Sequence, residues 1–501
     1  MTRTIGALVA IAVGLAAVLG ALILLNRGSE SLEVGANTLV NPPGIITVNN
    51  SPTVARNPEQ PDQLVVAHRI DRPGFSALLE WSDDGGQSWH PTTLPLPADT
   101  EPCAASPEQV PCPFAPDIAF GPDGTLYVAY VSLQGQGNTP ANLWLTTSTD
   151  GGRSLAPPVP VAGELTFQPR LTVAGDGTVH LVWLDAEAVA LNRLVGQARI
   201  VASHSTDGGR TFSEPLPISD VERERVGAAS PVIDSRGDLV VLYQDFKDDR
   251  RDFEGLEGPV SEGPFALVVT RSDDGGQTFS AGVEIESGVV PARRFLVFLP
   301  EYPSLAAGPG GALYASWAGA RNGDEDVFLR RSDDGGASWS DPVRVNDNPL
   351  ADGTDQYLPR VAVAPAGRVD VLFYDRRNDP ANVATDAYLA SSDDGGRTFA
   401  NVRISSESFS SEVGPTFGPA YGTDFGTRLG LDSTDGESYA TWTDTRLGNE
   451  DNGRQDVFGA STSGYSSGVP WWLMAALAAG VVGVAWFIVR RFGIARARTQ
   501  A

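Results

Sequence analysis

One eight-residue stretch, Ser82-Asp83-Asp84-Gly85-Gly86-Gln87-Ser88-Trp89, is repeated along this 501-residue chain. Six copies occur, and they begin at Ser82, Ser148, Ser205, Ser272, Ser332 and Ser392. Successive copies start 66, 57, 67, 60 and 60 residues apart. Such regular spacing indicates an array of similar structural units rather than chance recurrence.

Each copy has the composition of a tight turn. Its Asp-Gly-Gly segment lies between short apolar runs, glycine adopts positive φ without steric cost, and the Asp carboxylate can accept backbone N–H groups inside the turn. We therefore interpret the repeated carboxylates as turn formers, with calcium binding or catalysis as the alternatives. They are Asp84, Asp150, Asp207, Asp274, Asp334 and Asp394.

The repeat resembles the Asp-box, or BNR, motif Ser-x-Asp-x-Gly-x-x-Trp/Phe, which Ser82, Asp84, Gly86 and Trp89 match in the first copy. The resemblance covers residues 44–463. It implies an all-β β-propeller of four-stranded blades, with each box at the hairpin between the third and fourth strands, away from the active site.

The number of repeat units favours seven blades, with six as the alternative. Candidate first strands lie near Pro52, Pro116, Pro169, Pro231, Pro303, Pro359 and Thr427. The seventh unit has neither a box nor a fourth strand. We therefore expect the N-terminal strand Ile45–Val48 to close the ring, because closure removes sheet edges that invite aggregation.

Two apolar runs, residues 5–25 and 470–489, are long enough to span a bilayer. Arg3 before the first run and Arg490 after the second predict cytoplasmic termini, with the propeller on the extracytoplasmic side of the cell membrane. The expected fold is thus a propeller flanked by two transmembrane helices. Cleavage of the first run as a signal peptide is the competing interpretation.

The expected layout is an N-terminal anchor at residues 1–25, a linker at 26–43, the propeller at 44–463, a linker at 464–469, a transmembrane helix at 470–489 and a basic tail at 490–501.

The charge and the rare residue types narrow the function further. A net charge of −26 argues against nucleic acid as a partner, because phosphates need Lys and Arg. Cys103 and Cys112 are the only cysteines, and an even pair in an exported domain predicts a local disulfide. The four histidines have no zinc-binding spacing, so neither a metal nor another cofactor is expected.

Candidate functional residues differ between units at one aligned position, directly after the first-strand proline. These residues are Thr53, Asp117, Arg170, Val232, Ser304 and Arg360, with Arg428 at the matching place in unit seven. Because first strands line the channel of a propeller, the three arginines would form one anion site with Asp117 beside them. The alternative is that each arginine pairs with an acid of a neighbouring blade.

The chain is also similar to sialidases, whose Asp-box propellers hold a sugar carboxylate with three arginines and use an Asp acid/base and a Tyr nucleophile assisted by Glu. That resemblance implies the following roles: Arg170, Arg360 and Arg428 as the triad, Asp117 as the acid/base, Tyr421, Tyr302 or Tyr357 as the nucleophile, and Glu301 as its helper. The chain departs from sialidases in its seven units and in Arg56-Asn57-Pro58, where they carry Arg-Ile-Pro.

Two function classes follow. Asp-box propellers include xyloglucanases and non-catalytic receptors such as sortilin, so the fold alone does not choose an activity. We predict a propeller that binds an acidic glycan or a protein ligand. The alternative is an exo-sialidase-type glycoside hydrolase acting on acidic sugars.

Overall fold

The computed structural model describes residues 32–44, 47–104, 110–135, 138–190, 193–247, 263–290, 301–415 and 423–465. Within these ranges the chain forms thirty β-strands and one 3-10 turn, Pro309–Gly311. The strands make seven sheets of four or five strands each. This confirms an all-β propeller with seven blades.

The blades follow one another along the chain, and paired strands are antiparallel. Before blade 1 come β1 (Glu33–Val34) and β2 (Thr38–Leu39). Blade 1 contains β3 (Asn49–Arg56), β4 (Leu64–Ile70), β5 (Ser76–Ser82) and β6 (His90–Thr93). Blade 2 contains β7 (Cys112–Phe120), β8 (Leu126–Gln134), β9 (Thr139–Ser148) and β10 (Val159–Ala162). Blade 3 contains β11 (Thr166–Val173), β12 (Val179–Ala190), β13 (Arg193–Ser205) and β14 (Leu216–Pro217).

Blade 4 contains β15 (Val226–Ile233), β16 (Leu239–Asp245), β17 (Phe265–Ser272) and β18 (Val283–Val289). Blade 5 contains β19 (Ser304–Ala307), β20 (Leu313–Gly319), β21 (Asp326–Ser332) and β22 (Val343–Arg344). Blade 6 contains β23 (Gln356–Val363), β24 (Val369–Asp375), β25 (Ala384–Ser392), β26 (Ala400–Arg403) and β27 (Phe409–Ser410). Blade 7 contains β28 (Gly430–Ser433), β29 (Glu437–Asp444) and β30 (Asp456–Ser463).

The N-terminal part of the propeller closes the ring, but not with the predicted residues. Strands β1 and β2 both pair with β30 and supply the outer edge of blade 7. The N–H of Val40 also donates to the carbonyl of Val457 at 2.9 Å. The expectation that Ile45–Val48 closes the ring is therefore wrong. Of that segment, Val48 makes an isolated bridge to Gln455 and Thr47 accepts a hydrogen bond of 3.2 Å from the Gln455 N–H, but neither residue belongs to a strand of blade 7. Residues 45–46 lie outside the described residues.

The compact propeller unit runs from Val34 to Ser463. The closing strand therefore occupies part of the stretch at residues 26–43 that was expected to be a linker. Because β1 and β2 have two residues each, they show almost no alternation of apolar and polar side chains. The hydrophobic pattern of the sequence therefore did not distinguish these strands from a linker.

Each box folds as a hydrogen-bonded turn around its central carboxylate. In the first box the backbone N–H groups of Gln87 and Ser88 donate to Asp84 Oδ1, both at 2.9 Å, and Ser82 Oγ donates to the same oxygen at 2.7 Å. The N–H of Gly86 donates to Ser82 Oγ at 2.9 Å. Slight burial raises the pKa of Asp84, but the hydrogen bonds from Ser88, Ser82 and Gln87 outweigh it and bring the pKa to about 2.

The second glycine of each box packs against the preceding blade. A Cβ placed on Gly86 would lie 2.4 Å from the ring of Tyr439 in blade 7, and one on Gly209 would lie 2.4 Å from Leu145 in blade 2. Both glycines also have positive φ, at 87° and 80°. The box therefore joins neighbouring blades as well as turning the chain.

The core lies between the blades. The large side chains at the centre of the second strands are almost fully buried, with 0–2% of their surface exposed. They are Tyr130, Trp183, Tyr243, Trp317, Phe373 and Trp442. Side chains on the two faces of one blade belong to different apolar clusters, as in blade 1, where Val65 packs toward blade 2 and Val66 toward blade 7.

One part of the predicted fold is corrected. No helix in the described part of the chain is long and apolar enough to cross a membrane. The described part of the chain is thus an all-β propeller, and the expectation of two flanking transmembrane helices has no support in it. Those helices were inferred from hydropathy alone, and residues 5–25 and 470–489 lie outside the described residues.

The disulfide prediction is confirmed. Cys103 and Cys112 are bonded, with a Cα–Cα distance of 5.9 Å, and both residues are buried. The bond joins Cys103, in the segment after β6, to Cys112, the first residue of the inner strand of blade 2.

Candidate functional site

A bulge recurs in five inner strands, directly before the position at which the candidate residues are aligned. In each strand two residues lie opposite a single residue of the partner strand, and the first of the two has a φ of 49–54°. These first residues are Ser51, Ala115, Gln168, Ala228 and Leu358. A bulge bends its strand and re-aims the side chain that follows.

The side chains after the bulge are Thr53, Asp117, Arg170, Ser230 and Arg360. In blade 4 the aligned residue is therefore Ser230, and the alignment on Val232 was wrong. In the other four strands the proline is the second bulge residue, but Pro231 follows the bulge of blade 4, so counting from the proline shifted the register there.

Asp117 joins two blades. Its Oδ2 accepts a hydrogen bond of 2.9 Å from the backbone N–H of Leu171 in blade 3. Serine hydroxyls make the same kind of link further round the ring. Ser230 Oγ accepts from the N–H of Leu305, and Ser304 Oγ accepts from the N–H of Val361, both at 3.1 Å. One oxygen of Asp117 thus has a structural partner that recurs in other blades.

The other oxygen of Asp117 faces arginines. Arg170 Nη1 lies 3.5 Å from Asp117 Oδ1, and Arg428 Nη1 lies 3.8 Å from it. Arg360 is close enough for its charge to lower the pKa of Asp117, although burial is the larger effect and raises that pKa overall. We call Asp117, Arg170, Arg360 and Arg428 the inner-strand arginine cluster. Three guanidinium groups against one carboxylate give it a formal charge of +2.

The cluster is largely buried. The side chains of Arg170, Asp117 and Arg428 are 9%, 11% and 11% exposed, and Arg360 is partly buried. Electrostatic interactions are stronger in such a partly desolvated place than on an open surface. The cluster is therefore a cationic spot in a protein whose net charge is −26.

Two of the three arginines are held by the protein itself. The Arg170 guanidinium carbon lies 4.0 Å from the centre of the Tyr302 ring, a cation–π contact. Arg428 donates from Nε to the carbonyl of Ser51 at 3.1 Å and from Nη2 to the carbonyl of Pro116. These contacts fix both guanidinium groups beside Asp117.

Arg360 differs from the other two. Among the described residues it has no ion pair, and its buried Nε has no hydrogen-bond acceptor. Burial lowers its pKa, the charge of Asp117 raises it and the charge of Arg170 lowers it further. A buried guanidinium nitrogen without an acceptor is costly, and an anionic ligand would relieve that cost.

One of the three candidate tyrosines lies at the cluster. Tyr302 is buried, and burial raises its pKa to about 12, although the charge of Arg170 lowers it. Tyr357 is 1% exposed, and its hydroxyl lies 3.3 Å from Thr385 Oγ1 inside blade 6, so it is not at the cluster. Tyr421 lies outside the described residues.

Glu301 precedes Tyr302 and is partly buried. Its backbone carbonyl accepts a hydrogen bond of 3.1 Å from Gln244 Nε2. Its proposed role as a helper of the nucleophile stays a prediction.

Sequence reasoning missed Arg69, which lies near the cluster. Arg69 is 2% exposed, with Nη2 at 2.6 Å from Asp424 Oδ2 and Nε at 2.8 Å from Asp71 Oδ1, and its charge acts on Tyr302. The available signal was a single arginine within the stretch Leu64–Ile70, whose other residues are apolar apart from His68. In the ranges that the structure describes, no group of three or more His, Cys, Asp or Glu side chains could hold a metal ion.

Comparison with known proteins supports the repeat assignment. Residues 81–315 match the family described as "BNR repeat-like domain". No curated protein matches the chain.

Solved structures with similar folds include a protein of unknown function from Dyadobacter fermentans, with 16% identity, 69% of this chain and 95% of that chain covered, and a TM-score of 0.45. The Hadza microbial sialidase Hz136 has 18% identity, covers 66% of this chain and 64% of its own, and gives a TM-score of 0.44. The α-L-arabinanase of Penicillium chrysogenum has 14% identity, 69% and 92% coverage, and a TM-score of 0.40. Likeness at this level says nothing about activity.

Proposed function

We propose that this chain, an Asp-box (BNR) repeat β-propeller, binds a carboxylate-bearing ligand, most simply an acidic sugar, at the inner-strand arginine cluster. The observation that carries the proposal is Arg360, whose buried Nε has no acceptor among the described residues. Each guanidinium presents paired N–H groups that match the two oxygens of a carboxylate. The formal charge of +2 at the cluster favours an anion there.

The geometry favours binding over hydrolysis. Asp117 uses Oδ2 for the N–H of Leu171 and faces Arg170 and Arg428 with Oδ1. A general acid has to present its proton to a leaving group, and both oxygens of this carboxyl already have partners. The ring of Tyr302 is covered by the Arg170 guanidinium and its pKa is raised to about 12, so its hydroxyl is poorly suited to act as a nucleophile.

A sialidase-type hydrolase is the second candidate, and one observation favours it. Burial raises the pKa of Asp117, and a raised pKa is a property of carboxyl groups that act as acids. In that case Asp117 would exchange its contacts on substrate binding, and Tyr302 would be the described tyrosine nearest to the reacting sugar.

Calorimetric titration of the purified full-length chain tests the binding proposal. We expect N-acetylneuraminic acid or glucuronic acid to bind, and we expect their methyl esters not to bind, because the esters have the same sugar ring but no carboxylate charge. Replacing Arg360 by Ala should weaken binding by about 2–5 kcal/mol, as for a desolvated charge pair. Arg210→Ala is the matched control, since Arg210 is an exposed arginine of the third box. Equal binding of acids and esters would refute the proposal.

Hydrolysis is measured separately with a fluorogenic sialoside. We expect no turnover by the wild-type chain. If the wild-type chain hydrolyses the sialoside and both Asp117→Asn and Arg360→Ala abolish that hydrolysis, the protein is a hydrolase and the binding proposal is wrong.

A further inference from the structure

The box of blade 4 contacts a pair of histidines in the preceding blade. A Cβ placed on Gly276 would lie 3.3 Å from His180 Nδ1 and 3.4 Å from His204 Nδ1. The second glycines of the other boxes face aromatic or aliphatic side chains in the preceding blade. These contacts are Gly86 with Tyr439, Gly152 with Val65, Gly209 with Leu145, Gly336 with Val269 and Gly396 with Leu329.

The two histidines are direct cross-strand neighbours. His180 on β12 lies opposite His204 on β13, and their ring centres are 6.1 Å apart. His204 Nδ1 lies 3.3 Å from Ser213 Oγ. His180 is 2% exposed, and its Nδ1 has no hydrogen-bond partner among the described residues. An uncharged imidazole tolerates that environment, whereas an imidazolium needs an acceptor for each N–H.

Two charges act on His180. The neighbouring imidazole of His204 disfavours a second positive charge, and Asp176, in the turn before β12, favours it. Other charged side chains lie on the elements around the pair: Asp207 and Arg210 in the box of blade 3, Glu214 after it, and Arg271, Asp273 and Asp274 at the box of blade 4.

We propose that the interface between blades 3 and 4 is acid-sensitive: protonation of His180 releases the blade 4 box from blade 3 and loosens the ring there. The positive charge would form on His180 next to Gly276, where Nδ1 of His180 has no hydrogen-bond acceptor among the described residues, and beside the imidazole of His204. Opening the interface lets water reach the imidazolium, so the open state binds the proton more tightly than the closed state.

The direction of the pH effect follows from the pKa of His180. Burial lowers it to about 4, His204 lowers it as well and Asp176 raises it, against an ordinary value of 6.5. A group whose pKa is depressed in the closed state supports that state fully above pH 6.5 and loses this support as the pH falls toward 4. If opening hydrates the ring completely, the pKa of His180 is about 4 in the closed state and 6.5 in the open state. The equilibrium constant for closing is then about thirtyfold smaller at pH 5 than at a pH well above 6.5.

Hydrogen exchange followed by mass spectrometry on the full-length chain tests the proposal. The box of blade 6, with Leu329 beneath Gly396, is an internal control of the same turn chemistry. Protection factors are compared at pH 7 and pH 5 after correction for the intrinsic exchange rates. The protection of residues 272–279 should be about tenfold or more lower at pH 5 than at pH 7, relative to the change in residues 392–399. Equal changes in the two boxes would overturn the proposal.

His180→Tyr is the matching variant, because Tyr127 and Tyr314 hold this place beneath the boxes of blades 3 and 6. The extra loss of protection at pH 5 should disappear in it. His90→Gln, which removes an exposed histidine, should keep the loss. An extra loss that persists in folded His180→Tyr would also overturn the proposal. If that variant does not fold, the wild-type comparison of the two boxes still decides.

Discussion

Replacing the second glycine of the first box by alanine should destabilise the ring through two separate effects. Gly86 has a φ of 87°, and a left-handed conformation costs a residue with a Cβ about 1–2 kcal/mol. The new Cβ would also lie 2.4–2.6 Å from two ring carbons and the hydroxyl oxygen of Tyr439. Overpacking of this kind costs about 1–3 kcal/mol. Gly86→Ala should therefore lower the free energy of unfolding by about 2–5 kcal/mol.

Gly85→Ala is the control that isolates the packing effect. Gly85 has a φ of 71°, but a Cβ on it meets nothing within 4 Å. Only the backbone cost of about 1–2 kcal/mol applies. An unfolding entropy of about 2.1 cal/mol/K per residue, over the unit Val34–Ser463, makes each 1 kcal/mol worth about 1 °C in melting temperature.

Differential scanning calorimetry on both variants measures the difference. We expect a fall of about 2–5 °C for Gly86→Ala and about 1–2 °C for Gly85→Ala. Equal shifts for the two variants would refute the inference that the second glycine is required for contact between blades.

Three further predictions concern the box carboxylates, the disulfide and the closing strand. The pKa values of Asp84 and Asp334 are lowered to about 2, so the stability that these carboxylates contribute is complete above the ordinary pKa of 3.8 and is lost as the pH falls toward 2. In Asp84→Asn the melting temperature should therefore fall less steeply between pH 3.8 and pH 2 than in the wild-type chain, and an equal fall would contradict this. Cys103→Ser should cost about 2–3 kcal/mol, seen in denaturant melts, and the reduced wild-type chain should match the variant. Removing residues 1–40 deletes β1 and β2 and should expose β30, so light scattering should show aggregation; a monomeric product with an unchanged melting curve would contradict the observed closure.

The fold was predictable where its determinants are local. The Asp-Gly-Gly turn, its Ser and its aromatic residue interact within eight residues, so each box carries its own structural information. The number of blades followed from the seven candidate first strands, because the seventh unit has no box. Ring closure depends instead on pairing between residues near both ends of the propeller, such as Val40 with Val457, and no local pattern records that pairing.

The candidate site was predictable only in part, because bulges decide which side chains meet. Asp117, Arg170 and Arg360 share an aligned position because a proline marks the bulge in each of their strands. In blade 4 Ala229 takes the place of that proline, and the aligned residue was misassigned. Arg69 has no counterpart in the repeat, so its approach to Tyr302 could only be seen in three dimensions.

A crystal structure of the chain soaked with N-acetylneuraminic acid or glucuronic acid would show whether a carboxylate binds at the inner-strand arginine cluster. We expect the sugar carboxylate within about 3 Å of the Arg360 guanidinium, with Arg170 or Arg428 as a second contact and Asp117 still accepting from the N–H of Leu171. A structure in which Arg360 pairs with one of the chain's own carboxylates, while the sugar is absent or bound elsewhere, would contradict this expectation.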